Sequence, residues 1–421
     1  MKRRAWPVII IMLGAVICLR CTPQEKPSTE TLQELRTLYR ARNYFALQAR
    51  LQRMPDAASP VILYYEAAAE RAFNRPEASN RRLDQLLETD GIPDSLLADC
   101  WTMKMENFLR LHAYADALHA ADEVLQIRDL PEEKENDVRN TRIIVSALKG
   151  IPPQSVEKHG DSKLLLKGTH IDVTIHGRQR DYAYDTGANY SILMASEARE
   201  LDLHVIEAGF DVGTATGQIV KGDLGIADSL AIGNITLRHV VFLVFPDETL
   251  TFPGGFQLRG VIGFPVLEAL GELQFQNGTI FVPQNPPARD IHNLALENLT
   301  PLIQFTCRGD RLIGRFDTGA DKTDFYQPFF RRYFANTVTP AQIDTVKSGS
   351  VGGIVEHPVY RLNTITIGLA DTSVTLDSVN IHTEVLGDSS ENYLYANIGL
   401  DVLRNFNRYI LNFRDMALIL Q

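Results

Sequence analysis

A ten-residue segment occurs twice in this chain. Tyr182-Ala183-Tyr184-Asp185-Thr186-Gly187-Ala188-Asn189-Tyr190-Ser191 is matched by Gly314-Arg315-Phe316-Asp317-Thr318-Gly319-Ala320-Asp321-Lys322-Thr323. A second pair follows, Val261-Ile262-Gly263-Phe264-Pro265-Val266-Leu267 and Asn397-Ile398-Gly399-Leu400-Asp401-Val402-Leu403. The offsets are 132 residues for the Asp-Thr-Gly motifs and 136 for the apolar-Gly-apolar motifs. A lone Asp-Thr-Gly reads as a turn, since Asp and Gly are turn residues. Two different motifs at nearly one offset require a duplicated unit, so this stretch folds as two copies of one plan.

The texture around the motifs is β-rich. Short apolar or alternating runs (Leu164-Leu165-Leu166, His170 to Ile175, Val240 to Phe245, Ile280-Phe281-Val282) are separated by Gly-containing turns, as in compact all-β units. Upstream, from about residue 30 to 150, apolar positions recur at three and four, as in Leu32, Leu35, Leu38 and Tyr39, which predicts helices. Breaks fall near Asn43, Asn74-Arg75-Pro76 and His112-Ala113. Taking Ala46, Ala78 and Ala117 as equivalent gives spacings of 32 and 39, near the ~34-residue period of tetratricopeptide-like helix pairs. His112 and His119, seven apart, read as one helical face and not as metal ligands.

Both β-rich halves resemble the lobe of aspartic peptidases, especially the retropepsin-like branch. Asp317-Thr318-Gly319-Ala320-Asp321-Lys322-Thr323 is close to the retroviral active-site signature, and Ile398-Gly399-Leu400-Asp401-Val402-Leu403 to the later Gly motif of cellular retropepsin-like proteins. The expected fold class is α + β multidomain: helical hairpin repeats, then two all-β lobes forming an intramolecular pseudo-dimer. The expected boundaries are a signal (1–21), a tether (22–29), a helical domain (30–150), lobe 1 (158–283), a connector (284–297) and lobe 2 (298–421).

The resemblance makes Asp185 and Asp317 the catalytic pair, needing no cofactor or metal. Two carboxylates near contact cannot both ionise, so one keeps a proton while the other deprotonates a water between them. Gly187 and Gly319 then allow close approach to the carboxylates, and the Thr186 and Thr318 hydroxyls cross between lobes and lock the loops. Gly213 and Gly217 in one Gly-rich stretch, and Gly352 and Gly353 in another, are candidates for flaps that close over a peptide; ordinary surface hairpins are the plain alternative. Asp321 stands where retropepsins contact substrate backbone, but the first half has Asn189 there, so the two sides of the cleft are expected to bind differently. Ala188 and Ala320 replace the hydroxyl residue usual in pepsin-like members, which implies a less acidic optimum.

At the start, Lys2, Arg3 and Arg4 precede an apolar run from Trp6 to Leu19. It is shorter than the ~20 residues of a stable membrane span and fits an export signal. Cys18 and Cys21 close it, and a polar tether follows. This resembles a bacterial lipoprotein signal with Cys21 acylated, although Arg20 and Ile17 depart from the small residue expected before the cysteine. A retained anchor and simple secretion are the alternatives. The expected location is the bacterial cell envelope, membrane-anchored and facing the periplasm or cell surface. Cys100 and Cys307 read as buried hydrophobes. A net charge of -10 without a basic stripe excludes nonspecific nucleic-acid binding. The expected partners are a peptide or protein substrate, the membrane through the lipid anchor, and a protein at the helical repeats. The rival functions are a silent peptide-binding module and a scaffold.

Overall fold

The computed structural model describes residues 28–54, 59–214, 217–386 and 392–421. The expected signal with Cys18 and Cys21, the tether up to residue 27, and Ala215-Thr216 of the first Gly-rich stretch lie outside the described residues. Seven helices come first: α1 (Thr29–Arg40), α2 (Tyr44–Leu51), α3 (Pro60–Ala72), α4 (Pro76–Leu87), α5 (Asp94–Arg110), α6 (Tyr114–Gln126) and α7 (Glu132–Leu148).

Three hairpins in this region close in one way. Arg42, Asn74 and His112 each take a left-handed φ, of 51°, 59° and 55°. The amide after each reaches back to a carbonyl five residues earlier: Asn43 to Leu38 (3.0 Å), Arg75 to Glu70 (2.9 Å) and Ala113 to Phe108 (2.8 Å). This closure satisfies carbonyls that a helix end leaves open. Asn43 then caps α2 by accepting from the Ala46 amide at 3.1 Å, and Pro76 opens α4 where its missing amide costs nothing.

The shared closures, 32 and 38 residues apart, correct the alignment. Ala117 corresponds to Leu47 and Ser79, all three buried, and not to Ala46 and Ala78. They also correct the histidine pair, because His112 sits in the turn and only His119 on a helix.

In the β-rich part the two halves repeat each other strand for strand. The ten-stranded sheet contains, in spatial order, His170–Ile175, Arg178–Tyr184, Gly260–Ile262, Ser191–Met194, Val240–Phe245, Ile219–Ala227 and His204–Gly213. The eight-stranded sheet contains Thr300–Cys307, Asp310–Phe316, Ala396–Ile398, Asp324–Phe325, Thr372–His382, Gly353–Leu369 and Ile343–Ser350 in the same sense. In both, the strand entering Asp-Thr-Gly pairs in parallel with the strand entering the later glycine.

A third sheet draws on both halves. Its order is Ser162–Leu165, Thr279–Val282, Glu272–Gln276, Arg408–Asn412, Ala417–Leu420. The seam runs from Glu272 opposite Asn412 to Gln276 opposite Arg408. Phe275 stacks on Tyr409 there at 4.3 Å. Glu272, fully buried, accepts from Arg289 at 2.7 and 2.8 Å and from Asn412 at 2.9 Å, so its charge is compensated.

Two expected boundaries shift. Leu294–Glu297, assigned to the connector, is a strand paired with Thr300–Cys307. The first β strand is Ser155–Lys158, ahead of residue 158. The helical region is bound to the β part: Asn74 Nδ2 donates to the Phe413 carbonyl at 2.6 Å and to Glu268 at 2.7 Å, and Arg110 pairs with Glu268 at 2.7 Å. Arg71 also pairs with Glu297 at 3.7 Å. Cys100 and Cys307 are free and buried.

Candidate active site

Each Asp-Thr-Gly turn starts where its strand ends. The Asp185 amide donates to the Ile262 carbonyl at 2.9 Å and the Asp317 amide to that of Ile398 at 3.0 Å, so the apolar-Gly-apolar strands support the turns from beneath. Behind them the Gly263 amide donates to Ser191 Oγ and the Gly399 amide to Thr323 Oγ1, both at 3.0 Å. A Cβ on Gly263 would lie 2.4 Å from the Tyr190 carbonyl carbon. Glycine is required there because the two backbones touch.

Thr186 and Thr318, both fully buried, join the halves reciprocally. The amide of each donates to the hydroxyl of the other at 3.0 Å. The hydroxyls in turn donate across the seam, Thr186 to the Phe316 carbonyl at 3.0 Å and Thr318 to that of Tyr184 at 3.4 Å. The cross-link brings Asp185 and Asp317 face to face. A Cβ on Gly187 would stand 2.6 Å from Asp317 Cγ, and one on Gly319 would overlap Asp185. Asp185 accepts from the Gly187 amide at 2.7 Å, and Asp317 from the amides of Gly319 (2.8 Å) and Ala320 (3.2 Å). Burial pushes the Asp185 carboxyl well above the usual carboxylate range, and the charge of Asp317 and a hydrogen bond with it push further. Such an arrangement can share one proton and hold a water between two oxygens.

The candidate flap glycines lie on hairpins. Gly213 ends His204–Gly213, and Gly217 follows in the turn with φ 76°. Gly352 and Gly353, with φ 93° and 119°, turn the chain between Ile343–Ser350 and Gly353–Leu369. The second hairpin reaches the first half. Gly352 donates to the Thr249 carbonyl at 3.4 Å, and a Cβ on it would meet Gln218 Oε1 at 3.3 Å and Thr214 at 3.5 Å.

The two motif loops differ in their surroundings. Asp321 is exposed and pairs with Arg404 at 2.6 Å. Its counterpart Asn189 accepts from Thr300 Oγ1 at 3.0 Å. Asn189 and Tyr190 also line a cavity of about 530 Å³ shared with Arg71, Arg110 and Lys134 of the helices. The first loop thus lies beside the helical region, although Asn189 itself is exposed like Asp321.

Two contributors escaped the sequence reading. Asn397 Nδ2 donates to Asp317 Oδ2 at 2.8 Å; the mismatch with Val261 in the duplicated motif was its only signal. Asn140 of α7 binds Asp211 of the first hairpin through both amide atoms, accepting at 2.8 Å and donating at 2.7 Å; it carried no signal.

Residues 171–266 match the aspartyl protease family model, a span that includes Asp185 and Gly263. No curated protein sequence matches the chain. Among solved structures, a retropepsin-like aspartic protease from Rickettsia conorii aligns at 15% identity over 31% of this chain and 95% of that one, with a TM-score of 0.21.

Proposed function

We propose that this chain is a single-chain aspartic endopeptidase whose two lobes form an intramolecular pseudo-dimer around Asp185 and Asp317. One observation carries the reading: reciprocal Thr186–Thr318 hydrogen bonds hold two duplicated carboxylates against each other's glycine. The aspartyl protease match over the first half supports the same chemistry. In the reaction, the ionised member takes a proton from water as the water oxygen bonds to the peptide carbonyl carbon. The other member gives its proton to the carbonyl oxygen, which forms the gem-diol. The member that took water's proton then passes it to the amide nitrogen while the other takes a gem-diol hydroxyl proton, so the C–N bond breaks to give a carboxylic acid and an amine and the pair is restored. The Gly-rich hairpins act as flaps over a peptide or protein substrate.

The helical hairpins belong to this reading as a tetratricopeptide-like domain with room for a protein partner. Residues 1–21 act as a lipoprotein signal that leaves Cys21 acylated and the enzyme on the bacterial envelope; loss of membrane partition in Cys21→Ala is the check. The decisive experiment incubates protein lacking residues 1–21 with a peptide library. Cleavage in wild type that disappears in Asp185→Asn and in Asp317→Asn supports the peptidase. Binding of peptides without turnover would replace it with a silent module.

A further inference from the structure

The two halves differ at one position beside the carboxylates. Asn397 lies opposite Arg315 in the parallel strand pair of the second half, as Val261 lies opposite Ala183 in the first. Each stands two residues before its supporting glycine. Val261 is buried and has no donor to offer Asp185. Asn397 Nδ2 donates to Asp317 Oδ2 at 2.8 Å, while Oδ1 of Asp317 takes the amides of Gly319 and Ala320. Both Asp317 oxygens thus receive N–H donors. The amide orientation follows from the chemistry, since Oδ1 of Asn397 turned toward a carboxylate would be repelled.

We propose that Asn397 divides the labour of the pair, keeping Asp317 as the charged base and leaving the shared proton on Asp185, the acid. The proposal rests on the peptidase reading of this site. Hydrogen bonds to a carboxylate favour its charged form, and Asp317 receives N–H donors on both oxygens, three in all, one of them from a side chain. Asp185, with its backbone donors alone, takes the proton, in keeping with the upward push on its carboxyl from burial and from Asp317. Asn397 bears a cost for this role: its Oδ1 is buried without a hydrogen-bond partner. A valine, which fits the equivalent place in the first half, would avoid that cost. Among the charged groups packed nearby, Asp317 faces Asp185, Arg315 is in register with Asn397 on the adjoining strand, and Asp321 on the loop is paired with Arg404 at 2.6 Å.

The test compares wild type, Asn397→Val and Asn397→Thr, the last having the shape of valine with a donor restored. Two measurements are made: kcat and KM against pH on a cleaved peptide, and a carboxyl-carbon NMR titration of aspartate-labelled protein. Losing one charge-assisted hydrogen bond should lower kcat about ten- to a hundredfold in Asn397→Val, with KM within about twofold. The acidic limb of the pair's profile should move to higher pH, and the NMR signals should show the proton spread over both carboxyls. Asn397→Thr should return the limb toward wild type. A fall in kcat with the limb unmoved, or Val and Thr variants that behave alike, overturns the proposal and leaves Asn397 a packing residue. Should wild type cleave nothing, the peptidase reading fails separately, and the titration alone still shows whether Asp185 holds the proton and whether Asn397→Val redistributes it.

Discussion

At the scale of single side chains, Asp185 works against the stability of the fold that holds it. Burial, the charge of Asp317 and their hydrogen bond all push its carboxyl up. Between the ordinary carboxylate range and that raised value, the native protein keeps a proton that the unfolded chain has released, so stability falls as pH rises through the window. Asp185→Asn removes the titration. Thermal melts should show the variant level with wild type at acidic pH and increasingly more stable as pH rises. A stability difference constant in pH would mean that the pair is not coupled as described. Asp185 and Asp317 were legible in the sequence because the motif is local and repeated. Asn397 was not, because an asparagine within a strand acquires its meaning only from the carboxylate folded against it.

At the scale of elements, the two candidate flaps are held differently. The first hairpin, His204–Gly213 with Ile219–Ala227, packs Phe210, Leu224 and Ile206 against Tyr114, Ile144 and Leu148 of the helices. Asn140 also pairs with the Asp211 backbone as a neighbouring strand would. The second hairpin has its reach toward Thr249 and Gln218 of the other half. Asn140→Ala should therefore raise amide exchange in residues 204–227 by roughly ten- to thirtyfold, from two hydrogen bonds worth about 1 kcal/mol each. Exchange in residues 343–369 should stay within about twofold. Equal changes in both hairpins would point to general loosening, not to a clamp. Helix breaks at Asn43, Asn74 and His112 could be read from sequence because caps and closures are made of neighbours. The register shift between Ile206 and Phe210 could not, because it depends on a strand paired from further along the chain.

On the scale of the whole molecule, the decisive structure is the sheet to which both halves contribute. Glu272–Gln276 of the first half and Arg408–Asn412 of the second are neighbours in it, with Glu272 locked between Arg289 and Asn412. The duplication in the sequence required two like halves, and the resemblance implied that they pair within one chain. The seam, the Thr186–Thr318 cross-link and the connector of residues 283–293 between the strands Thr279–Val282 and Leu294–Glu297 support the pairing within one chain that we propose. A short tether holds its ends at an effective concentration in the millimolar range, far above any working concentration of enzyme. Specific activity should therefore be unchanged on dilution to nanomolar protein, and the chain should sediment as a monomer while active. Asp185→Asn and Asp317→Asn should each lose turnover, and mixing them should restore none, since a functional pair would need halves of two chains to exchange across a buried sheet. Activity that falls on dilution, or returns on mixing, would show that the halves pair between chains, and the connector would then be a hinge for exchange and not a tether.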